Sequence, residues 1–479
     1  MRSAPRARGR RALPGALALL FAPLLCAAGC AYQLVSGGQL RPEPFHQIVD
    51  RTVRARGIAP EGEIRTGVIA SAELPGLLRR ALAAEWTGAE IRDYQEGLVT
   101  LGLWPADRDL EREFVAVYAE EVIGLYLPTE RTLYLVDDPR TPWSLWVLST
   151  LVRRDLEREL ILGHELVHFL QHQAFPELME ADPFWKSQDD VTAALQAALE
   201  GDALHYGFAS LEIEPPAADE LRLALEEEDR QRTHGALAEA PALLRLTLSF
   251  PYVHGYGLSL REGYALLAAP PASTEQVLHP DKRLEPFQAI DLAALRAALP
   301  AGCRAQFEDT LGELGLSVLL RDLGAPIEAT AWEGWDGDRW VAVDCDGRRE
   351  LVWLTAWDSE PDAAEFASSY GRIAAKVAGR AGMASPPTAR VVGSEVWIAT
   401  PGLVPLAADL GALARRARVV DLPGVRAHFA PARQQLPAGG HAAREALLDR
   451  HRRHPAEIAR GRIRAEPVAP GDLADLDPR

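Results

Sequence analysis

The chain has 479 residues, 48% of them apolar and 25% charged, with a formal charge of −17. That length holds two or three domains with cores of their own, and the composition is ordinary for a soluble globular protein. An acidic balance without any sustained basic stripe argues against nucleic acid as the partner.

The amino terminus stands apart. Arg2, Arg6, Arg8, Arg10 and Arg11 precede the apolar run ALPGALALLFAPLLCAAGC. A basic start, a short apolar stretch and a small-residue exit form the pattern of a secretory signal over residues 1–29. The exit AAGC resembles a bacterial lipobox, which implies lipid on Cys30 and an exported chain tied to the membrane of the cell envelope. Ordinary cleavage nearby and a retained anchor are the alternatives, although the run is short for a span. Residues 30–60 read as a polar tether.

Helical patterns run from Leu74 to Leu103 and onward. The stretch VIGLYLPTERTLYLVDD then predicts a hairpin, Val122–Leu127 and Thr132–Val136, around a Pro-Thr-Glu-Arg turn. From Asp155 to Phe175 there is no proline, and apolar residues recur with a helical period. Residues four apart on a helix share a face, so His164 and His168 point the same way, with Glu165 one step around. Two imidazoles on one face can share a metal, and a glutamate beside them can serve as general base toward a metal-bound water. The competing reading is a helix whose histidines are solvated or hydrogen-bonded.

Phe175–Asp190 reads as a loop, followed by a helix over VTAALQAALEGDALHYGFASL and a solvated helical run, ADELRLALEEEDRQR. Beyond residue 303 the texture changes. RWVAVDCDGRRELVWLTAWD predicts Trp-rich strands around an Asp-Gly turn, then a helix over PDAAEFASSYGRIAAKVAG and a hairpin over TARVVGSEVWIATPG. Cys303 and Cys345 can form one disulfide, worth at most about 4 kcal/mol by loop entropy, or stand as two thiols. The lack of a C-x-x-C pair argues against a cysteine-held structural zinc.

A catalytic zinc takes three protein ligands and leaves one position open. A third histidine in the pattern HExxHxxGxxH would need glycine at 171 and histidine at 174, where the chain has Gln171 and Ala174. The other common solution is a glutamate from a downstream helix, and Glu200 in ALEGDAL fits it. Glu177, Glu180, Asp189 and Asp190 compete, but from a segment that positions a ligand less firmly. Asp202 is placed either to orient a ligand histidine or to sit at the surface.

Together, GHELVHFLQHQ, ALEGDAL, STEQVLHPDKR, GDRWVAV and WDSEPDAAEF resemble a group of bacterial metallopeptidases similar to the gluzincins, the thermolysin-like clan. The resemblance covers roughly residues 110–375. It implies one zinc ion on His164, His168 and Glu200, with Glu165 as base and a peptide or protein as substrate. In zincin folds an edge strand beside the metal pairs with the substrate peptide. One departure is that Leu204 stands where thermolysin has an aspartate four positions after its ligand glutamate.

A further donor toward the oxyanion is expected from Tyr252, His254, Tyr256 or His279, with His279 first and Tyr252 second. His172 and His205 have structural readings, since His205 turns away from the ligand face. The chain thus reads as α+β. A mostly helical zincin-like metallopeptidase domain with an edge-strand hairpin spans 61–300, a smaller α+β domain spans 301–435, and a polar tail spans 436–479. The function expected is zinc-dependent peptide hydrolysis in the envelope. The alternative is a catalytically silent zincin-fold lipoprotein that binds or scaffolds. A di-iron bundle is rejected, because the other E-x-x-H, Glu43 to His46, contains a proline and lies in the tether.

Overall fold

The computed structural model describes residues 34–137, 154–180, 182–324 and 330–429. The expected signal sequence, Cys30 and the tail over 436–479 lie outside the described residues. Among the described residues, no helix is long and apolar enough to cross a membrane.

The first described segment corrects the expected tether. A two-residue hairpin, β1 (Val35–Ser36) with β2 (Gln39–Leu40), leads into helix α1 (Pro42–Arg56). Pro42 and Pro44 read as breakers, yet both sit in the first turn, where a missing N–H costs nothing. Ile48, Thr52 and Arg56, four residues apart, form its buried stripe. Arg51 then reaches Glu159 at 2.5 Å and the Ser210 carbonyl at 2.9 Å, so the segment is fastened to the body.

Next come β3 (Arg65–Ala70), α2 (Leu74–Glu85), α3 (Gly88–Leu101) and α4 (Leu110–Glu121). The expected hairpin follows as β4 (Gly124–Leu127) and β5 (Thr132–Asp137). β5 is central in a three-stranded sheet, parallel to β3 and antiparallel to β4. β4 is therefore an edge. Helix α5 (Leu156–Ala174) lays Leu162, Leu166, Phe169 and Leu170 on this sheet, together with Ile48, Tyr126, Leu133 and Leu135.

The segment expected as a loop contains two short helical turns, Pro176–Met179 and Pro183–Ser187, before α6 (Asp189–Ser210). Helix α7 (Ala218–Gln231) buries no residue, as its charges predict. Helix α8 (Ala242–Glu262) keeps Pro251 in its interior, removing one backbone donor just before Tyr252. A short helix α9 (Thr274–Leu278) and strand β6 (Phe287–Asp291) complete this part.

Strand β7 (Cys303–Asp309), helix α10 (Gly312–Asp322), β8 (Trp335–Cys345), β9 (Arg348–Trp357), α11 (Glu360–Ala381), β10 (Thr388–Val392) and β11 (Glu395–Ala399) follow. They build an antiparallel sheet of order β10-β11-β9-β8-β7. The Asp-Gly turn is present, with Asp346 and Gly347 both at positive φ, 52° and 80°. Cys303 and Cys345 are opposite one another across β7 and β8 and form a disulfide. Alternate residues of the central strands enter two cores. Trp340, Ala342, Leu351 and Trp353 pack on one face, and Val341, Val343, Val352 and Leu354 on the other.

The expected boundary near residue 301 does not separate two cores. The largest apolar cluster joins Leu98 and Val99 of α3, Ala194 and Ala198 of α6, and Trp340 and Trp353 of the sheet. Strand β12 (Arg415–Val419) also pairs back with β6. The fold is α+β with several small sheets, built around one shared seam.

Candidate metal centre

Helices α5 and α6 run antiparallel and approach closely. A Cβ on Gly163 would stand 2.5 Å from the Ser210 hydroxyl oxygen, and one on Gly207 would meet the His164 backbone at 3.4 Å. Two turns back along α6, Glu200 faces the same helix. On its other side α6 meets α8 backbone to backbone, since a Cβ on Gly201 would lie 2.1 Å from the Gly255 carbonyl. No other residue fits that contact, and it fixes the height of Glu200 against both helices.

Three side chains converge there. His164 Nε2 lies 3.0 Å from Glu200 Oε2, His168 Nε2 lies 3.0 Å from His164 Nε2, and His168 Nε2 lies 3.4 Å from Glu200 Oε2. A tetrahedral zinc site with bonds near 2.05 Å has ligand–ligand edges of roughly 3.3 Å. The spacing matches. Two imidazole nitrogens aimed at each other at that distance need a proton or a cation between them. Among the described residues this is the group of three whose ligand atoms gather in that way.

The electrostatics agree. Burial disfavours charge on Glu200, but His168 and His164 outweigh it and hold the carboxyl well below its ordinary range. Burial likewise works against an imidazolium at His168, yet Glu200 raises it to about 9. The donor set is thus two imidazoles and a carboxylate that keeps its charge, which suits a divalent cation in place of the protons.

Glu165 is buried beside the triad. Burial pushes its carboxyl up, while His164 and His168 draw it down. The edge strand touches it, for a Cβ on Gly124 would fall 2.5 Å from Ile161 and 3.3 Å from Glu165 Cγ. Tyr252 faces the triad from α8, its ring 6.2 Å from that of His164. Burial first, then Glu200, keeps this phenol protonated well above its usual range. Tyr118 of α4 feels the Glu200 charge, and burial first, then that carboxylate, raises its phenol to about 12. Sequence reading did not find Tyr118.

The other histidines and tyrosines fall elsewhere. His279 caps α9 and bonds Glu313 at 2.8 Å. The Thr274 amide of the same helix bonds Asp190 at 2.9 Å, and ten residues of α6 separate Asp190 from Glu200, about 15 Å. His279 is therefore not brought to the triad, because α9 docks on the far end of α6. Tyr256 donates to the Pro216 carbonyl at 2.8 Å, and His254 packs on Phe250. His205 bonds Ser259, and His172 bonds the Tyr126 hydroxyl at 2.7 Å. Of the competing acids, Asp189 accepts from Tyr94 at 2.7 Å and Glu180 pairs with His172.

Behind His168 lies a chain of buried polar groups. His168 Nδ1 meets Gln171 Oε1 at 2.8 Å. Gln171 Nε2 donates to Asp202 Oδ2 at 2.8 Å and to the Leu199 carbonyl at 3.0 Å. Asp202 pairs with Arg56 at 3.1 Å, both side chains fully buried. The guanidinium rests over the Tyr264 ring, 3.8 Å from its centre, and near Tyr206 at 4.7 Å. Gln171 and Arg56 carried no signal in the motif itself, although Gln171 is one turn past His168 on the same face.

Residues 300–420 match a family described as a domain of unknown function (DUF8575). That stretch holds the five-stranded sheet and none of the triad. Neither a curated protein nor a solved structure matches the chain.

Proposed function

We propose that the chain is a zinc-dependent peptidase of gluzincin-like type, hydrolysing peptide bonds of envelope or extracellular proteins. The observation that carries this reading is the convergence of His164 Nε2, His168 Nε2 and Glu200 Oε2 at tetrahedral-edge spacing, with Glu165 buried alongside. His164, His168 and Glu200 would hold the zinc ion, which when bound would supply an acidified water and polarise the scissile carbonyl. Glu165 takes a proton from the attacking water as the carbon–oxygen bond forms, and returns it to the amine nitrogen as the carbon–nitrogen bond breaks. Tyr252 and Tyr118 remain neutral hydroxyl donors beside the same point, placed to stabilise the oxyanion. The edge strand β4 lies against Glu165 and offers a backbone rail for an extended substrate. The chain acts from the envelope membrane, held through lipid on Cys30.

Metal analysis together with a casein-type assay tests this. One zinc per chain is expected, and Glu165→Gln should keep the zinc while activity falls on the order of 10²–10⁴-fold. Absence of zinc, or equal activity in wild type and variant, would overturn the reading. Zinc retention without any cleavage by the wild type would favour a silent binding lipoprotein.

A further inference from the structure

We infer that Gln171 is the positioning residue of the metal centre. It fixes His168 as the Nδ1–H form with Nε2 free for the ion, and it is held in that orientation by Asp202 and Arg56. The inference rests on the zinc reading above and adds the residues that make the site one-sided.

An amide side chain can usually turn over, exchanging its oxygen for its nitrogen. Here it cannot do so without loss. The Leu199 carbonyl only accepts, so the amide nitrogen must face it, and Asp202 Oδ2 lies 2.8 Å from that same nitrogen and 3.1 Å from the Arg56 guanidinium. Both N–H bonds of Gln171 are therefore spent on these two oxygens. Its own oxygen is left facing His168 Nδ1 at 2.8 Å, where it can only receive a hydrogen. The proton sits on Nδ1, and the lone pair on Nε2 points at Glu200 and His164. A neutral amide thus stands between the ligand histidine and the buried acid.

Arg56 gives the arrangement its direction. It comes from α1, more than 100 residues before His168, and neutralises an otherwise unpaired carboxylate at full burial. The opening helix is thereby part of the metal centre's support rather than a spacer.

Zinc affinity by chelator competition, measured on the full chain, tests the inference. Gln171→Met removes the acceptor and should raise the zinc dissociation constant 10–100-fold. Gln171→Glu keeps a side-chain oxygen of the same reach facing His168 Nδ1 and so retains the acceptor. It should stay within about fivefold of wild type, which a merely space-filling role would not produce. In zinc-loaded protein labelled with ¹⁵N-histidine, one ring Nδ1–H should be protected from solvent exchange in wild type and Gln171→Glu, and lost in Gln171→Met. Zinc bound equally well by Gln171→Met and an active wild type would overturn the inference and leave the peptidase reading standing. A wild type that takes up no zinc would bring down both. Should Gln171→Met fail to fold, a folded Gln171→Glu with more than tenfold weaker binding also overturns it.

Discussion

Glu200 and Tyr252 have different losses to suffer. Glu200→Ala leaves two imidazoles facing a gap, and zinc content after dialysis should fall to background while the helices persist. Tyr252→Phe removes a hydroxyl and little volume, so zinc should stay and kcat should drop on the order of 10²-fold. Steady-state kinetics with metal analysis on the same sample separates the two outcomes. His164, Glu165 and His168 were legible in the sequence because their geometry is local, set by the pitch of one helix. Glu200 was legible through its helix and its residue type. Arg56 and Tyr118 were not, since their roles arise from packing between helices that are remote in sequence. His279 was misplaced for the same reason, as a motif-like STEQVLHP says nothing about which end of α6 it meets.

Helices meet in this molecule at glycines, and the crossing of α6 with α8 is the tightest. A methyl group at Gly201 has no space against Gly255, so Gly201→Ala should cost about 1–3 kcal/mol in unfolding free energy and weaken zinc binding by displacing Glu200. Denaturant melts and chelator competition read both effects, and a variant as stable as wild type would show that the crossing is looser. The amino end of α6 makes a different prediction. Asp190 is buried, and burial raises its carboxyl from 3.8 to about 7. Between those values the folded chain holds a proton that the unfolded chain has released, so its contribution to stability is present in acid and lost as pH rises to about 7. Asp190→Asn keeps an oxygen for Thr274 and does not titrate. Its melting temperature relative to wild type should therefore be more favourable at pH 8 than at pH 5, and an unchanged difference would refute the assignment. Strands β8 and β9 and helix α11 were readable from alternation and periodicity. Helix α1 was not, because prolines that would break a helix interior open this one.

The five-stranded sheet and the helical part share their main core, and the disulfide ties β7 to β8 at the opposite end of β7 from Asp309. Cys303 is six residues along β7 from Asp309, about 20 Å of strand. Replacing both cysteines by serine should lower stability by at most about 4 kcal/mol and leave the zinc dissociation constant within twofold, as measured by denaturant melts and competition titration. The sequence suggested a division near residue 301 because composition changes there, but a change of texture does not reveal which faces are apolar toward each other. That shared seam also sets a timetable for a growing polypeptide. All three ligands have been made by residue 200, yet the layer that presses α3 and α6 into place includes Trp340, Trp353 and Val425. At ribosomal rates those arrive roughly 10–45 s later. The helices that carry the proposed ion-binding cluster are thus braced only after residues as far as Val425 have been added.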